Sequence, residues 1–157
     1  MLKNKIKNLV YLFIIFVFLS FFQVLQANEN LNFLSLKNKK VNLRQGPSFE
    51  YPVKFIYKKK YLPVLVLDKL GPWRKIKDFE SNSGWIHVSQ LSKRKSGINK
   101  KNNSVIYKNP TIFSKPLAKL ETGRLVLISK CRKKWCKVSS GNFSGWILEN
   151  YLWGKIN

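Results

Sequence analysis

Two stretches of the chain carry the same word: Trp73 leading to Gly84-Trp85-Ile86, and Trp135 leading to Gly145-Trp146-Ile147. The flanks agree. Val64-Leu65-Val66 runs into Trp73-Arg74-Lys75-Ile76, and Val126-Leu127-Ile128 runs into Trp135-Cys136-Lys137-Val138. Upstream, Lys40-Val41 before Gly46-Pro47 matches Ser104-Val105 before Asn109-Pro110. The offset is 64 at Val41/Val105, 62 at Trp73/Trp135 and 61 at Trp85/Trp146, a slow shrinkage that small loop deletions explain. A duplicated unit of about 60 residues therefore bounds what the chain can fold into.

The first residues read as an export signal. Lys3, Lys5 and Lys7 form a basic start, Leu9 to Phe22 is almost purely apolar, and Leu25-Gln26-Ala27 resembles a small-residue cleavage box. The expectation is a signal helix over residues 1–27, cleaved after Ala27, with the remainder in the periplasm. The alternative is an uncleaved inner-membrane anchor, because the apolar run stretches from Leu9 to Leu25, 17 residues, the lower limit for crossing a bilayer. Either way the lysines stay inside and the rest is translocated. Cleavage leaves 157 − 27 = 130 residues, enough for two small units and no more.

The formal charge is +23, or +20 once three signal lysines are removed. Such an excess points to an anionic partner, whether lipid headgroups or envelope polymer, and export argues against nucleic acid. A competing explanation is compositional: only 5 of the 30 basic residues are Arg, and 15 Asn accompany them, as an AT-rich coding sequence would produce.

From Lys39 onward short apolar runs alternate with turn residues at Gly46-Pro47-Ser48, Lys58-Lys59-Lys60, Leu70-Gly71-Pro72 and Ser81-Asn82-Ser83-Gly84. The pattern predicts strands at Val41–Leu43, Val53–Tyr57, Leu62–Leu67, Trp73–Lys77 and Gly84–Val88. The second unit repeats them at Val105–Tyr107, Leu117–Leu120, Leu125–Ile128, Trp135–Val138 and Gly145–Leu148, and Asn150–Trp153 closes it with a 3-10 turn and a short strand. Residues 28–92 are expected to form the first domain, its lead-in supplying Leu31, Phe33, Leu34 and Leu36 as cover. Residues 93–103 read as a solvated linker and 104–157 as the second domain. Five short strands with tight turns, twice, argue for an all-β chain of two small antiparallel barrels.

Val41-Asn42-Leu43-Arg44-Gln45-Gly46-Pro47, followed by Tyr51-Pro52-Val53 and ending on Gly84-Trp85-Ile86, resembles the bacterial SH3-like (SH3b) domain family, whose pattern is an Asn-(Val/Leu)-Arg-x-Gly-Pro run and a terminal Gly-Trp strand. The second unit keeps Trp135 and Gly145-Trp146 but has Ile106-Tyr107-Lys108-Asn109-Pro110 in place of the opening run. The resemblance implies a tandem SH3b protein of the cell envelope that binds peptidoglycan or protein and is not an enzyme. Within the motif, Gly46 is expected to supply a positive φ and Pro47 to stiffen the turn. Arg44 shares a face with Asn42, placed to close the barrel edge by hydrogen bonds. Gly84 is expected to let its strand bend or bulge.

The chemistry-bearing residues are few. His87 is the single histidine, with no nucleophile-elbow Ser or Cys and only seven acidic residues in the whole chain, so no catalytic residue is assigned. Cys131 and Cys136 cannot complete a zinc site with one distant His; in an oxidising compartment they are expected to form a disulfide across the hairpin of the third and fourth strands. No cofactor or metal is expected. Trp73, Trp85, Trp135 and Trp146 recur at repeated positions, which assigns them to the duplicated core. Tyr51, Tyr57, Tyr61 and Tyr107 lie at loops or strand ends and, with Lys54, Lys58 and Lys59, are the candidates for a groove that grips an acidic peptide stem or a glycan strand.

Overall fold

The computed structural model describes residues 32–154, which lie within one compact unit. The expected signal helix or anchor, residues 1–27, lies outside the described residues. Two antiparallel sheets of seven strands each make up the described chain. The first consists of β1 (Phe33–Leu36), β2 (Val41–Arg44), β3 (Val53–Tyr57), β4 (Pro63–Leu70), β5 (Trp73–Lys77), β6 (Ser83–His87) and β7 (Leu91–Ser92). The second consists of β8 (Ser96–Asn99), β9 (Ser104–Tyr107), β10 (Pro116–Leu120), β11 (Leu125–Arg132), β12 (Trp135–Ser140), β13 (Phe143–Leu148) and β14 (Leu152–Trp153). Their orders, β3-β2-β6-β5-β4-β1-β7 and β10-β9-β13-β12-β11-β8-β14, are the same topology written twice. A 3-10 turn, Val88–Gln90 or Glu149–Tyr151, precedes the last strand of each.

Each sheet wraps an aliphatic core. Leu36, Val41, Leu43, Val64, Ile76 and Ile86 are buried in the first, with Tyr57 and Leu91. Ile106, Val126, Ile128, Val138 and Ile147 fill the second, with Leu120, Cys136 and Leu152. Period-two alternation selects these positions: in β6 Gly84 and Ile86 face inward while Trp85 and His87 face out. The four repeated tryptophans are therefore not in either core cluster. Trp73 and Trp146 are each only 7% exposed, yet they lie on the outer faces, covered by loops and long side chains.

Both glycines of the Gly-Trp words sit where another strand passes. A Cβ at Gly84 would meet the Arg44 carbonyl oxygen at 2.6 Å, and one at Gly145 would collide with the Tyr107 carbonyl oxygen and Ile106. β5 and β6 pair without a register break, so Gly84 serves close approach of β2 and not a bulge. Gly46 likewise differs from expectation: its φ is not positive, and it makes room for the Tyr51 ring, which a Cβ there would meet at 2.6 Å.

The strand pairings also adjust the repeat register. Arg44 stands opposite Trp85 and Tyr107 opposite Trp146, so Tyr107 holds the place of Arg44, an offset of 107 − 44 = 63 rather than the 64 suggested by matching valines.

The expected linker is the larger correction. Ser96–Asn99 forms β8, wholly buried, which pairs with β11 and β14, so only Lys93-Arg94-Lys95 separates β7 from β8. Its role mirrors that of β1 in backbone detail. Leu36 N–H donates to Leu62 and accepts at its carbonyl from Tyr61, and Asn99 does the same with Arg124 and Gly123, at 2.8–2.9 Å throughout. Small residues are needed here because β14 lies close: a Cβ on Gly97 would sit 3.3 Å from the Trp153 carbonyl oxygen.

Candidate functional site

The outer face of β5 and β6 presents Trp73 opposite His87, their rings T-shaped with centroids 5.2 Å apart. The β2–β3 loop lays Phe49 across both. Its ring centroid is 5.0 Å from that of Trp73 and 5.5 Å from that of His87. Trp73 is buried by this lid, whereas Phe49 remains 65% exposed.

Arg44 holds the loop in place. Its Nη1 donates to the carbonyls of Phe49 at 3.0 Å and Tyr51 at 2.7 Å, and its guanidinium lies 5.6 Å from the Phe49 ring centroid. The arginine thus fastens a loop from the end of β2 and does not close the barrel edge. His87 Nδ1 is 2.8 Å from the Ser89 hydroxyl and accepts from the Ser89 N–H, which caps the 3-10 turn. Lys40, Asn42, Arg44 and Gln90 rim the resulting depression of about 200 Å³. An exposed aromatic ring beside cationic and amide side chains is suited to stacking on the apolar face of a sugar or peptide plane while pairing a carboxylate.

The residues expected to form a single groove do not converge. Tyr57 is a core residue, 4% exposed, with its hydroxyl donating to Asp78 at 2.9 Å. Burial holds its phenol well above the ordinary tyrosine value, and the Asp78 hydrogen bond acts in the same direction. Tyr51 is exposed and belongs to the Phe49 loop. Tyr61 is half-buried beneath Lys60 in a turn with φ 62°, where the second unit has Gly123 at φ 80°. Tyr107 is half-buried in the other barrel, edge-on to Trp135. Lys54 donates to the Ser83 carbonyl at 3.2 Å. Lys58 and Lys59 flank a separate apolar cleft of about 370 Å³ where Phe55, Ile56 and Phe79 of the first barrel meet Ile98 and Gly123 of the second. Phe49 carries no motif that marks it as a site residue in the sequence. It stands two residues after Pro47 of the Gly-Pro step, but its partnership with His87 requires the cross-strand register.

The second barrel builds the same face differently. Leu148 stands opposite Trp135 where His87 stands opposite Trp73, and Tyr107 replaces Arg44. Trp146 is covered by Arg132, whose guanidinium is 4.6 Å from the ring centroid, and by Lys130 at 5.9 Å. Cys131 and Cys136 are cross-strand partners joined by a disulfide, as expected, and no free thiol is present among the described residues. The described residues contain no group of three or more metal-ligating side chains.

The family model of the bacterial SH3 domain matches the chain twice, over residues 37–93 and 100–154. No curated protein matches it. Among solved structures, NlpC2 from Trichomonas vaginalis is similar at 14% identity and a TM-score of 0.38, over 82% of this chain and 50% of that one. An NlpC/P60 family protein from Bacillus cereus is similar at 14% identity and a TM-score of 0.34, over 78% of this chain and 56% of that one. The chain thus spans about half the length of these structures.

Proposed function

The chain belongs to the bacterial SH3 domain family and carries that domain twice; from this premise we propose that it is an exported, non-catalytic binding or scaffold protein that engages cell-wall peptidoglycan, or a wall-associated protein, in the periplasm. The observation that carries the reading is Phe49, an aromatic ring 65% exposed yet held rigidly by Trp73, His87 and Arg44. A rigid platform loses little entropy on binding, and peptidoglycan offers both sugar faces to stack and stem-peptide carboxylates to pair with Arg44 and Lys40. The disulfide supports an extracytoplasmic location. The reading assigns the chain no chemistry of its own.

Pull-down on purified sacculi tests it. Binding should persist at moderate salt and weaken about tenfold in Phe49→Ala, the loss of one stacked aromatic. A second reading, general electrostatic adhesion to anionic membrane surface or envelope polymer, is favoured by the net charge of +20 that remains once the three signal lysines are removed from +23. Retention that disappears at moderate salt on every anionic matrix, and that Phe49→Ala leaves unchanged, would support adhesion and sink the wall reading.

A further inference from the structure

The two barrels treat the tip of the same loop in opposite ways. In the first, Arg44 and Trp73 draw Phe49 down, and the acidic Glu50 follows it. In the second, the guanidinium is replaced by Tyr107, and the tip turns its apolar side chains outward: Ile112 is 57% exposed and Phe113 92% exposed. This is not slack chain. Asn109 N–H donates to Ser114 Oγ at 2.9 Å, Ser114 N–H to the Thr111 carbonyl at 3.2 Å, and Lys108 N–H to the Lys115 carbonyl at 3.0 Å. A braced tip that presents two adjacent large apolar residues to water is a contact surface awaiting a partner.

The charges around it indicate which partner. Lys108 and Lys115 flank the tip on both sides. Tyr107, at the base of the loop, packs against Trp135, and the neighbouring turn adds Arg132, Lys133 and Lys134. No Asp or Glu occurs between Ser104 and Leu120, nor between Thr122 and Leu148, although Glu149 lies beside the basic turn, its N–H donating to the Lys134 carbonyl at 2.9 Å. We propose that the Ile112–Phe113 tip of the second barrel inserts into an anionic lipid surface, with Lys108, Lys115 and the Arg132–Lys134 turn seated among the headgroups. A convex apolar tip suits a fluid phase that closes around it, and the long basic side chains reach back to the phosphates. The proposal goes beyond charge-only adhesion and does not depend on wall binding, which uses the other barrel.

The test is co-sedimentation of residues 31–157, the compact unit holding both cores, with vesicles of phosphatidylcholine alone or mixed with phosphatidylglycerol. Partitioning onto the mixed vesicles is expected. It should fall about tenfold or more in Phe113→Ser, the change for withdrawing one phenyl ring from hydrocarbon. It should also fall in Lys133→Ser/Lys134→Ser, while Phe49→Ser, in the other barrel, leaves it unchanged. Three outcomes overturn the proposal: no binding to phosphatidylglycerol vesicles, binding unaltered by Phe113→Ser, or self-association in solution that Phe113→Ser abolishes in a protein that ignores vesicles. Because Ile112 and Phe113 contribute to neither core, thermal melts of the variants should overlay the wild type.

Discussion

Asp78 is a buried carboxylate, 5% exposed, satisfied by the Tyr57 hydroxyl, the N–H groups of Glu80 and Asn82 and the Asn82 side-chain amide. It thereby ties the β5–β6 turn to the first core, and Tyr57 is the link between them. Because the Tyr57 phenol is raised in the folded state, its contribution is fully present below the unfolded value of about 10 and is lost as pH rises above it. Stability should therefore fall on the alkaline side of about pH 10, and Tyr57→Phe should flatten that limb while losing about 1 kcal/mol at neutral pH. Urea unfolding across pH checks it, and an alkaline limb identical in the variant would contradict the assignment. Tyr57 was expected in an exposed groove because it ends its strand; alternation groups it with Val53 and Phe55 but does not give its depth. Phe55 on the same face is 43% exposed, and only the end of the strand passes under the barrel.

At the scale of elements, the strands that the sequence pattern revealed are the apolar runs bounded by turn residues. β2, β3, β4, β5 and β6 and their counterparts β9, β10, β11, β12 and β13 were legible for that reason. β8 was not: Ser96-Gly97-Ile98-Asn99 offers one apolar residue in four, because the strand is covered on every side and needs small residues. Asn99 in particular takes the place of the aliphatic Leu36 and spends its amide on the carbonyls of Lys101, Leu120 and Glu121. The candidate site suffered similarly, since Phe49, Trp73 and His87 meet only through pairing of distant segments. The disulfide was legible because spacing alone joins its ends. It closes a short loop at the end of β11 and β12, whose pairing continues to Leu127 and Ser139 without it. Reduction should therefore lower stability by only about 2 kcal/mol and leave the sheet intact. Urea titrations followed by tryptophan fluorescence, with and without reductant, measure this, and loss of the folded baseline on reduction would show a larger structural role.

For the molecule as a whole, a three-residue spacer and a shared aromatic contact join the barrels. Trp153, in the last strand, inserts between Phe33 and Phe79 of the first barrel, with ring centroids 5.0 and 5.7 Å away. Gly154 beside it has φ 101°, and a side chain there would strike Pro63 of β4. These contacts oppose the mutual repulsion of two strongly basic domains, so they decide whether the barrels open separately. A single calorimetric transition is expected for residues 31–157. Trp153→Ala removes the shared ring without touching either core cluster; it should cost roughly 2 kcal/mol and split the transition into two. Added salt should narrow the separation in the variant by screening the repulsion. A variant that still melts in one step at the wild-type temperature would mean that the remaining contacts of β4 with β8 suffice, and that the barrels are joined by strand packing and not by the tryptophan.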